Sequence, residues 1–410
     1  MSDPAHPDGG SAGIDPVLAD LVAKESRRRA TTLQLVAGET IATDAVRQCL
    51  SSVLGDTYAE GYPGARYHGG CAVVDEIEEL AADRASKLFG AEYVNVQPHT
   101  GTSAAAAVYA AFAQPGDPVL SLRLDHGGHQ THGSRVNFSG RWFNPIHFGV
   151  RESDELIDYD QVRDLALLHR PRLLVVGSPA YSRHFDFPLL RQIADEAECI
   201  LWVDAAHLAG LVAGGSAPSP VPYADVVTLV THKVLRGPRS GMILGAHQHG
   251  TALRKAVFPF TQGAAGMNVI AAKAAALEQA GTAEFADHID AVVANAAALV
   301  AELGERGLRV VSGGTDTHLA VVDVSSTGLT GVQAQERLAA AGIVVDKTVL
   351  PYDTQPAALG SAVRIGTPIA TLSGLGTEAM AQVASLMVEA LTTPDQHARI
   401  RGAVTDLLGG

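Results

Sequence analysis

VVTLVTHKVLRGPRSG, residues 226–241, contains the strongest structural signal in this 410-residue chain. Its first five residues, Val226–Val230, are apolar and mostly β-branched, which predicts a buried strand. Lys233 follows just beyond that strand, at the place where open α/β sheets bind their ligands. A lysine amine that is partly removed from water there has a lowered pKa and can form a Schiff base with an aldehyde. Taken alone, the segment also fits an ordinary surface lysine at the end of a strand.

A second apolar strand ends on an aspartate. Residues Cys199–Val203 predict that strand, and Asp204 follows it directly. A lone aspartate after a strand is usually a helix N-cap. With Lys233 further along the chain, however, it suits pyridoxal 5'-phosphate (PLP), because the lysine holds the aldehyde while the carboxylate keeps the pyridine nitrogen protonated. The pair therefore favours a PLP enzyme over the surface-lysine alternative.

The composition limits the class of protein and its partners. The formal net charge is −14, which argues against nucleic acid or an anionic membrane as a partner. No apolar run reaches membrane-spanning length, and the three cysteines indicate a reduced, cytoplasmic protein without a disulfide framework. Residues 1–14 are rich in Gly, Ser and Pro, lack the features of a signal peptide, and are predicted to form a disordered tail.

Strands and helices alternate along most of the chain, which predicts an α/β fold with a large, mainly parallel sheet. From about Gly304 the pattern changes to strand, helix, strand, which predicts a smaller C-terminal α+β domain. Within the large domain, Val73–Phe89 is predicted to be an amphipathic helix with Ile77, Leu80 and Ala81 facing inward. We therefore predict a tail (1–14), an N-terminal arm (15–45), a large PLP-binding domain (46–285) and a small C-terminal domain (286–410).

Three loops carry more functional groups than connectors need. Residues 58–71 combine Tyr58, Glu60 and His68 with four glycines, which favours membership of a site. Residues 98–103 place hydroxyls and a glycine at the start of an alanine-rich helix, where backbone N–H groups can bind a phosphate. The histidine cluster in residues 125–132 could hold a metal, but it lacks the helical spacing of zinc motifs and has no cysteine nearby. A histidine stacked on a flat cofactor ring is the better interpretation, and no metal is predicted.

Arg364 lies in the middle of a predicted strand that begins at Ala362. An arginine in such a position is usually an edge or salt-bridge residue. It can also bind a substrate carboxylate through two parallel hydrogen bonds.

Taken together, seven segments resemble the serine hydroxymethyltransferase family of fold-type I PLP enzymes, from about residue 15 to residue 395. They are YAEGYPGARYHGG (58–70), NVQPHTGT (95–102), DHGGHQTHGSRVNFSG (125–140), WVDAAHLAGLVAGG (202–215), THKVLRGPRSG (231–241), VSGGTDTHL (311–319) and VRIGTP (363–368). The resemblance implies a transferase that moves the hydroxymethyl group of a serine-type amino acid to tetrahydrofolate, converting L-serine to glycine. It also implies that the partners are small molecules, an amino acid and folate, and that a homodimer is the minimum active unit, with a tetramer left open.

The resemblance further implies a role for each matching residue toward the cofactor. Lys233 would carry PLP, and Asp204 would pair with its pyridine nitrogen. His129 would stack on the ring, and His207 would lie near the ring's 3-oxygen. Further residues would bind the cofactor, most of them around its phosphate. They are Thr100, Gly101, Thr102, His232, Tyr58 and Gly263, and a neighbouring subunit would supply Tyr58 and Gly263.

On the substrate side, the resemblance implies that Arg364 binds the amino-acid carboxylate. Glu60 would handle the protons of the substrate hydroxyl and of folate, so that retro-aldol cleavage releases formaldehyde for capture by tetrahydrofolate. The residues implied to line the amino-acid and folate side are Gly38, Tyr67, His68, Leu124, Gly128 and Arg239. The implied catalytic set consists of Lys233, Glu60, His129, Tyr58 and Thr231.

Several positions near the substrate depart from the family pattern. Gly38 stands where family members usually have serine, His68 replaces a tyrosine, Pro179 a serine, and Thr348 an asparagine on the folate side. Several of these changes remove bulk or a hydroxyl close to the α-carbon, which suits a larger α-substituent such as that of α-methylserine. Three activities therefore stay open. They are that of an α-methylserine hydroxymethyltransferase, that of an ordinary serine enzyme, and that of a folate-independent aldolase or threonine transaldolase. A silent PLP-binding or RNA-binding regulator is disfavoured, because Lys233 is intact and the chain is acidic.

Overall fold

The computed structural model describes residues 15–409, so the predicted disordered tail (1–14) lies outside the described residues. The α-helices are α1 (Pro16–Ala30), α2 (Asp44–Leu50), α3 (Ala72–Phe89), α4 (Gly101–Phe112), α5 (Phe138–Trp142), α6 (Tyr159–His169), α7 (Phe187–Ala197), α8 (Ala209–Ala213), α9 (Gly250–Lys255), α10 (Met267–Ala280), α11 (Ala283–Glu305), α12 (Gly331–Ala340), α13 (Pro368–Leu372), α14 (Met380–Thr392) and α15 (His397–Leu407). Among residues 15–409, no helix is both long and apolar enough to cross a membrane.

The strands fall into one large sheet and three small ones. They are β1 (Leu33–Gln34), β2 (Gly61–Tyr62), β3 (Ala65–Arg66), β4 (Tyr93–Asn95), β5 (Pro118–Leu122), β6 (Asn144–Phe148), β7 (Leu173–Val176), β8 (Ile200–Asp204), β9 (Val226–Val230), β10 (Gly241–Gly245), β11 (Leu319–Asp323), β12 (Ile343–Val344), β13 (Asp346–Thr348) and β14 (Ala362–Gly366). The large sheet has seven strands in the order β4-β10-β9-β8-β7-β5-β6. Only β10 runs against its neighbours, which confirms the predicted mainly parallel α/β fold.

Helices pack on both faces of the large sheet and bury them. Successive side chains of a strand point to opposite faces, so each strand contributes to both cores. In β8, for example, Trp202 packs on the face that contacts α4, and Val203 packs on the opposite face with α7 and α10. Trp202 is completely buried, and its indole N–H donates to the Thr228 hydroxyl of β9 at 2.9 Å. The strands β8 and β9 are thus fixed side by side, with their carboxyl ends at one edge of the sheet.

The C-terminal part has its own core around an antiparallel sheet of order β11-β14-β13. The helix α11 runs from one core to the other, with Ile289 in the core of the large sheet and Leu303 in the C-terminal core. The predicted boundary at residues 285/286 falls near the start of this helix, and the division into domains stays a prediction. The N-terminal arm joins the C-terminal part, because β1 pairs in parallel with β12.

The helix α3 differs from the prediction in the face that it buries. Ala81 is fully buried as predicted, but Leu80 is 44% exposed, so the expectation that Leu80 faces inward is wrong. Glu78 occupies the core position instead, where its carboxylate pairs with Arg66 at 2.6 Å and accepts from Gln97 at 2.7 Å. A carboxylate can be buried here because both of its oxygens have partners.

Candidate active site

Lys233 lies in the turn after β9 and faces a cavity of about 290 Å³. The turn is closed by the Gly237 N–H, which donates to the Thr231 carbonyl at 2.7 Å, and by the buried Thr231 hydroxyl, which donates to the Pro238 carbonyl at 2.6 Å. Burial lowers the pKa of the Lys233 amine from 10.5 to about 8, although the charge of Asp204 acts in the opposite direction. A substantial neutral fraction near neutral pH makes this amine a competent nucleophile. The Thr231 hydroxyl is thus engaged within the turn. Its predicted catalytic role stays a prediction.

Asp204, at the end of β8, faces the same cavity. One carboxylate oxygen accepts from the Ala206 N–H at 3.0 Å, and the other lies 3.1 Å from Nε2 of His132. Burial alone would raise the pKa of Asp204, but the His132 hydrogen bond and the charge of Lys233 outweigh it and lower the pKa below its usual value. Asp204 is therefore held as a carboxylate. His132 was not assigned from the sequence, although it belongs to the histidine cluster that drew attention to this loop.

Burial lowers the pKa values of several histidines in and beside the cavity. Desolvation lowers the pKa of His129 to about 4 and that of His207 well below its usual value. His207 stacks on His318, with ring centroids 5.4 Å apart and an interplanar angle of 13°. His318 was also missed by the sequence analysis, and its pKa is lowered by burial to about 3. Neutral imidazoles can cover an aromatic ring without adding positive charge beside Lys233.

The start of α4 forms another part of the cavity wall. Thr100 is the N-cap, and its side chain and that of Ser103 form a capping box, which leaves the first amides of the helix available for an anion. Two neighbouring strands pack closely against this turn. A Cβ on Gly101 would lie 2.7 Å from a Val230 methyl carbon of β9, and a Cβ on Gly241 of β10 would lie 2.2 Å from the Thr100 carbonyl oxygen.

We expect Gly241→Ala to weaken binding of a phosphate-bearing cofactor about tenfold, because its methyl group would displace Thr100 and with it the first turn of α4. Equilibrium dialysis of PLP against the apoprotein measures this change. Gly304→Ala is the matched control, since a Cβ there meets nothing within 4 Å and the residue lies inside α11. Equal PLP affinity of both variants would contradict the close approach as a requirement for cofactor binding.

The mouth of the cavity carries a further polar group of cofactor-binding candidates. Nη1 of Arg239 lies 3.3 Å from Nε2 of His232, and Arg239 is exposed. Burial and the charge of Arg239 lower the pKa of His232 to about 4, and its Nδ1 is buried without a partner. Many of the residues predicted to bind the cofactor or substrate line this cavity. They are Thr100, Gly101, Thr102, His129, Asp204, His207, His232, Lys233 and Arg239.

A larger cavity of about 650 Å³ lies beside the first, and Pro179 lines both. The structure brings together in its wall Leu124, Gly128 and Arg364, three of the residues assigned to the amino-acid and folate side, and that assignment stays a prediction. Arg364 is in the central strand of its sheet rather than at an edge, and it forms an ion pair with Asp346. Asp346 was not singled out from the sequence, because its partner is set by strand register.

The remaining predicted residues line neither cavity, and most of them form a separate group. Nε2 of His68 lies 3.3 Å from a Glu60 carboxylate oxygen, and the rings of Tyr58 and His68 meet edge to face at 4.8 Å. Gly263 joins this group, since a Cβ there would lie 3.5 Å from the Glu60 carboxylate. Tyr67 packs on Phe258 with ring centroids 5.8 Å apart. Gly38 lies elsewhere, beside Lys233, where a Cβ would come within 4.0 Å of the lysine Cε.

His129, His132 and Asp204 also have the spacing of a metal site, with one ligand atom from each within 4.8 Å of the others. A metal there would occupy the space between the groups predicted to face the cofactor ring. The expectation of no metal stays a prediction.

The described residues fit PLP. Four groups that suit this cofactor face one cavity. The nucleophilic amine suits the aldehyde, and the ionised carboxylate suits the pyridine nitrogen. The neutral histidine suits the ring, and the helix N-terminus suits the phosphate. The unpartnered Nδ1 of His232 offers a further polar contact.

Comparison with known proteins agrees with this geometry. The family model for serine hydroxymethyltransferase matches residues 12–387. Serine hydroxymethyltransferase of Koribacter versatilis (strain Ellin345) is 48% identical over 396 residues, covering 96% of this chain and 93% of the relative. That of Coprothermobacter proteolyticus is 48% identical over 395 residues (96% and 95%), and serine hydroxymethyltransferase 1 of Pseudomonas fluorescens (strain Pf0-1) is 48% identical over 387 residues (94% of each). Because the family model matches nearly the whole length of the chain, the chain belongs to the serine hydroxymethyltransferase family.

Proposed function

We propose that this enzyme transfers the hydroxymethyl group of a serine-type β-hydroxy amino acid to tetrahydrofolate. As a member of its family it is a one-carbon transferase that uses PLP, with tetrahydrofolate as co-substrate. The observation that carries the assignment to this site is the arrangement of Lys233 and Asp204 at the ends of adjacent parallel strands, facing one cavity.

Each residue of the cavity has a task toward the cofactor. When bound, PLP supplies an electron sink for the electron pair left at the amino-acid α-carbon. Lys233 would hold the cofactor aldehyde, and the ionised Asp204 would keep the pyridine nitrogen protonated. The neutral His129 would cover the ring, while the first turn of α4 would bind the phosphate through its amides and the Thr100 and Thr102 hydroxyls.

The substrates would meet residues of the larger cavity and of the separate group that contains Glu60. Arg364 binds the amino-acid carboxylate and thereby orients the side chain of the substrate. The Glu60 carboxylate accepts the proton of the substrate hydroxyl, so that the bond to the hydroxymethyl carbon breaks. Tetrahydrofolate, placed beside Leu124, Gly128 and Tyr67, takes up the one-carbon unit before it is lost to water.

The separation of Glu60 from the cavity of Lys233 supports a homodimer as the active unit. Tyr58, Glu60, His68 and Gly263 form one group, yet among the described residues they line neither cavity. A second copy of the chain would bring this group to the cavity of its partner. The exposed Tyr58 and Tyr67 (61% and 75% exposed) are aromatic surface that such an interface would cover. The acidic, cysteine-poor composition fits a cytoplasmic enzyme.

The space beside Lys233 favours α-methylserine over L-serine as the amino-acid substrate. A side chain at position 38 would contact the Lys233 side chain, so Gly38 leaves room where the substrate α-carbon is bound. One additional methyl group in a fitted apolar space changes kcat/KM by about 10- to 200-fold.

The test is cleavage of L-serine and of α-methylserine by the PLP-loaded enzyme, each with and without tetrahydrofolate. We expect folate-dependent turnover with the higher kcat/KM for α-methylserine, and Gly38→Ser should shift the ratio toward L-serine about tenfold. Gly402→Ser is the control, because a Cβ there meets nothing within 4 Å. Preference for L-serine would leave an ordinary serine enzyme, and equal rates without tetrahydrofolate would favour an aldolase.

A further inference from the structure

The carboxylate anchor of the site already has a carboxylate bound to it. In the register of β13 and β14, Asp346 stands directly opposite Arg364. The Asp346 carboxylate forms an ion pair with Nη2 of Arg364, while Nη1 donates to the Pro179 carbonyl at 2.8 Å. These two contacts fix the plane of the guanidinium group. Its Nε is buried and has no partner, and Nη1 and Nη2 each keep a second N–H that these two contacts do not use, so the group can still donate to a ligand.

Asp346 faces the ligand space rather than the outside of the sheet. Both Asp346 and Arg364 line the larger cavity, and their side chains are only 32% and 18% exposed. A pair in this position is screened by water less than a surface pair, so its charges affect any ion bound next to it. The substrate carboxylate would therefore meet an arginine whose charge is already compensated.

We propose that Asp346 is a specificity-determining residue that weakens the affinity of the site for the amino-acid carboxylate by sharing Arg364 with it. This inference rests on the proposed function, in which Arg364 is the carboxylate anchor. Asp346 keeps the guanidinium group oriented when no substrate is present. It also limits how tightly the substrate and the product amino acid are held, since two carboxylates compete for one cation.

The experiment is a titration of the PLP-loaded enzyme with glycine, followed by the absorbance of the bound cofactor. Asp346→Asn keeps the size of the side chain and one acceptor oxygen but removes the charge. We expect its dissociation constant for glycine to fall about tenfold. Asp346→Glu, which keeps the charge, should stay near the wild-type value. Asp346→Ser is a second neutral variant in case the asparagine variant folds poorly, as judged by its melting temperature.

A matched control removes a carboxylate from the same sheet but from a different arginine. Asp323 ends β11 and pairs with Arg309 at 3.0 Å, so Asp323→Asn should leave glycine affinity unchanged. Titration with 2-aminoethanol, which has an amine but no carboxylate, should show no gain in the Asp346→Asn variant. A gain with 2-aminoethanol would mean that Asp346 acts on the cavity in general and would overturn the inference.

The outcomes separate this inference from the proposed function. If Arg364→Met abolishes glycine binding while Asp346→Asn and Asp346→Ser bind glycine as the wild type does, the anchor stands and only the role of Asp346 is overturned. If the wild-type enzyme itself binds no amino acid, the proposed function fails. Tighter glycine binding in both neutral variants, with unchanged affinity in Asp323→Asn and Asp346→Glu, supports the inference.

Discussion

The Lys233→Met protein is expected to hold PLP only by non-covalent contacts and to lose amino-acid turnover by about 10³-fold or more. Borohydride reduction of the PLP-loaded wild type, followed by peptide mass mapping, should attach the reduced cofactor to the peptide that contains Lys233. The variant should acquire no such mass. Because only the neutral amine can attack the aldehyde, the rate at which the apoprotein takes up PLP should rise with pH through about 8, the pKa of Lys233.

The chain provides its own control for this experiment. Lys273 is buried, and desolvation lowers its pKa to about 7, below that of Lys233. Its amine, however, donates to the Val96 carbonyl and, at 2.6 Å, to the Gly241 carbonyl, and it does not line the cavity. A lowered pKa alone would therefore select Lys273, whereas access to the cavity selects Lys233. Reduced cofactor on the Lys273 peptide would contradict the site described here.

Mixed dimers of Lys233→Met and Glu60→Gln subunits are expected to regain activity that neither parent has. If Glu60 serves the partner's cavity, each mixed dimer contains one site with both defects and one site with none. Random pairing makes half of the dimers mixed, so the preparation should show about a quarter of the wild-type activity. Co-expression of the two chains with different affinity tags provides the material, and serine or α-methylserine cleavage is the measurement.

The homogeneous variants set the baseline of this experiment. Glu60→Gln keeps the shape of the side chain but cannot accept the substrate proton, which should lower kcat by about 10²- to 10³-fold while PLP absorbance is retained. Mixed dimers of Lys233→Met with Asp204→Asn are the matched control, since both residues line the same cavity of one subunit and pairing therefore cannot create an intact site. In that control each mixed dimer has one defect per site. Failure of the Lys233→Met and Glu60→Gln pair to exceed it would place Glu60 in its own subunit's site.

The local sequence was sufficient to predict the sheet and the two residues at its centre. The apolar runs of β8 and β9 have the length and β-branched content of buried strands, and Asp204 and Lys233 end or follow them directly. The start of α4 was predictable for the same reason, because capping and backbone amides depend on residues only three or four positions apart. The seven family segments then related these positions to PLP chemistry.

Patterns of hydrophobicity were less reliable where polar residues have buried partners. In α3 the sequence favoured Leu80 for the core, and the structure buries Glu78 there because Arg66 and Gln97 satisfy it. No periodicity can predict such a substitution, since the partners come from β3 and from the residues after β4.

The sequence by itself therefore determined the fold class, the cofactor and a set of candidate residues to hold it, because strand patterns, helix caps and motifs are local. Only the tertiary structure decided which groups face one another. The pairing of Asp346 with Arg364 depends on the register of two strands, the contact of His132 with Asp204 joins residues far apart in the chain, and the distance of the Glu60 group from Lys233 depends on how the loop packs. Electrostatic interactions depend on distance and burial, and these are properties of the folded chain rather than of its sequence order.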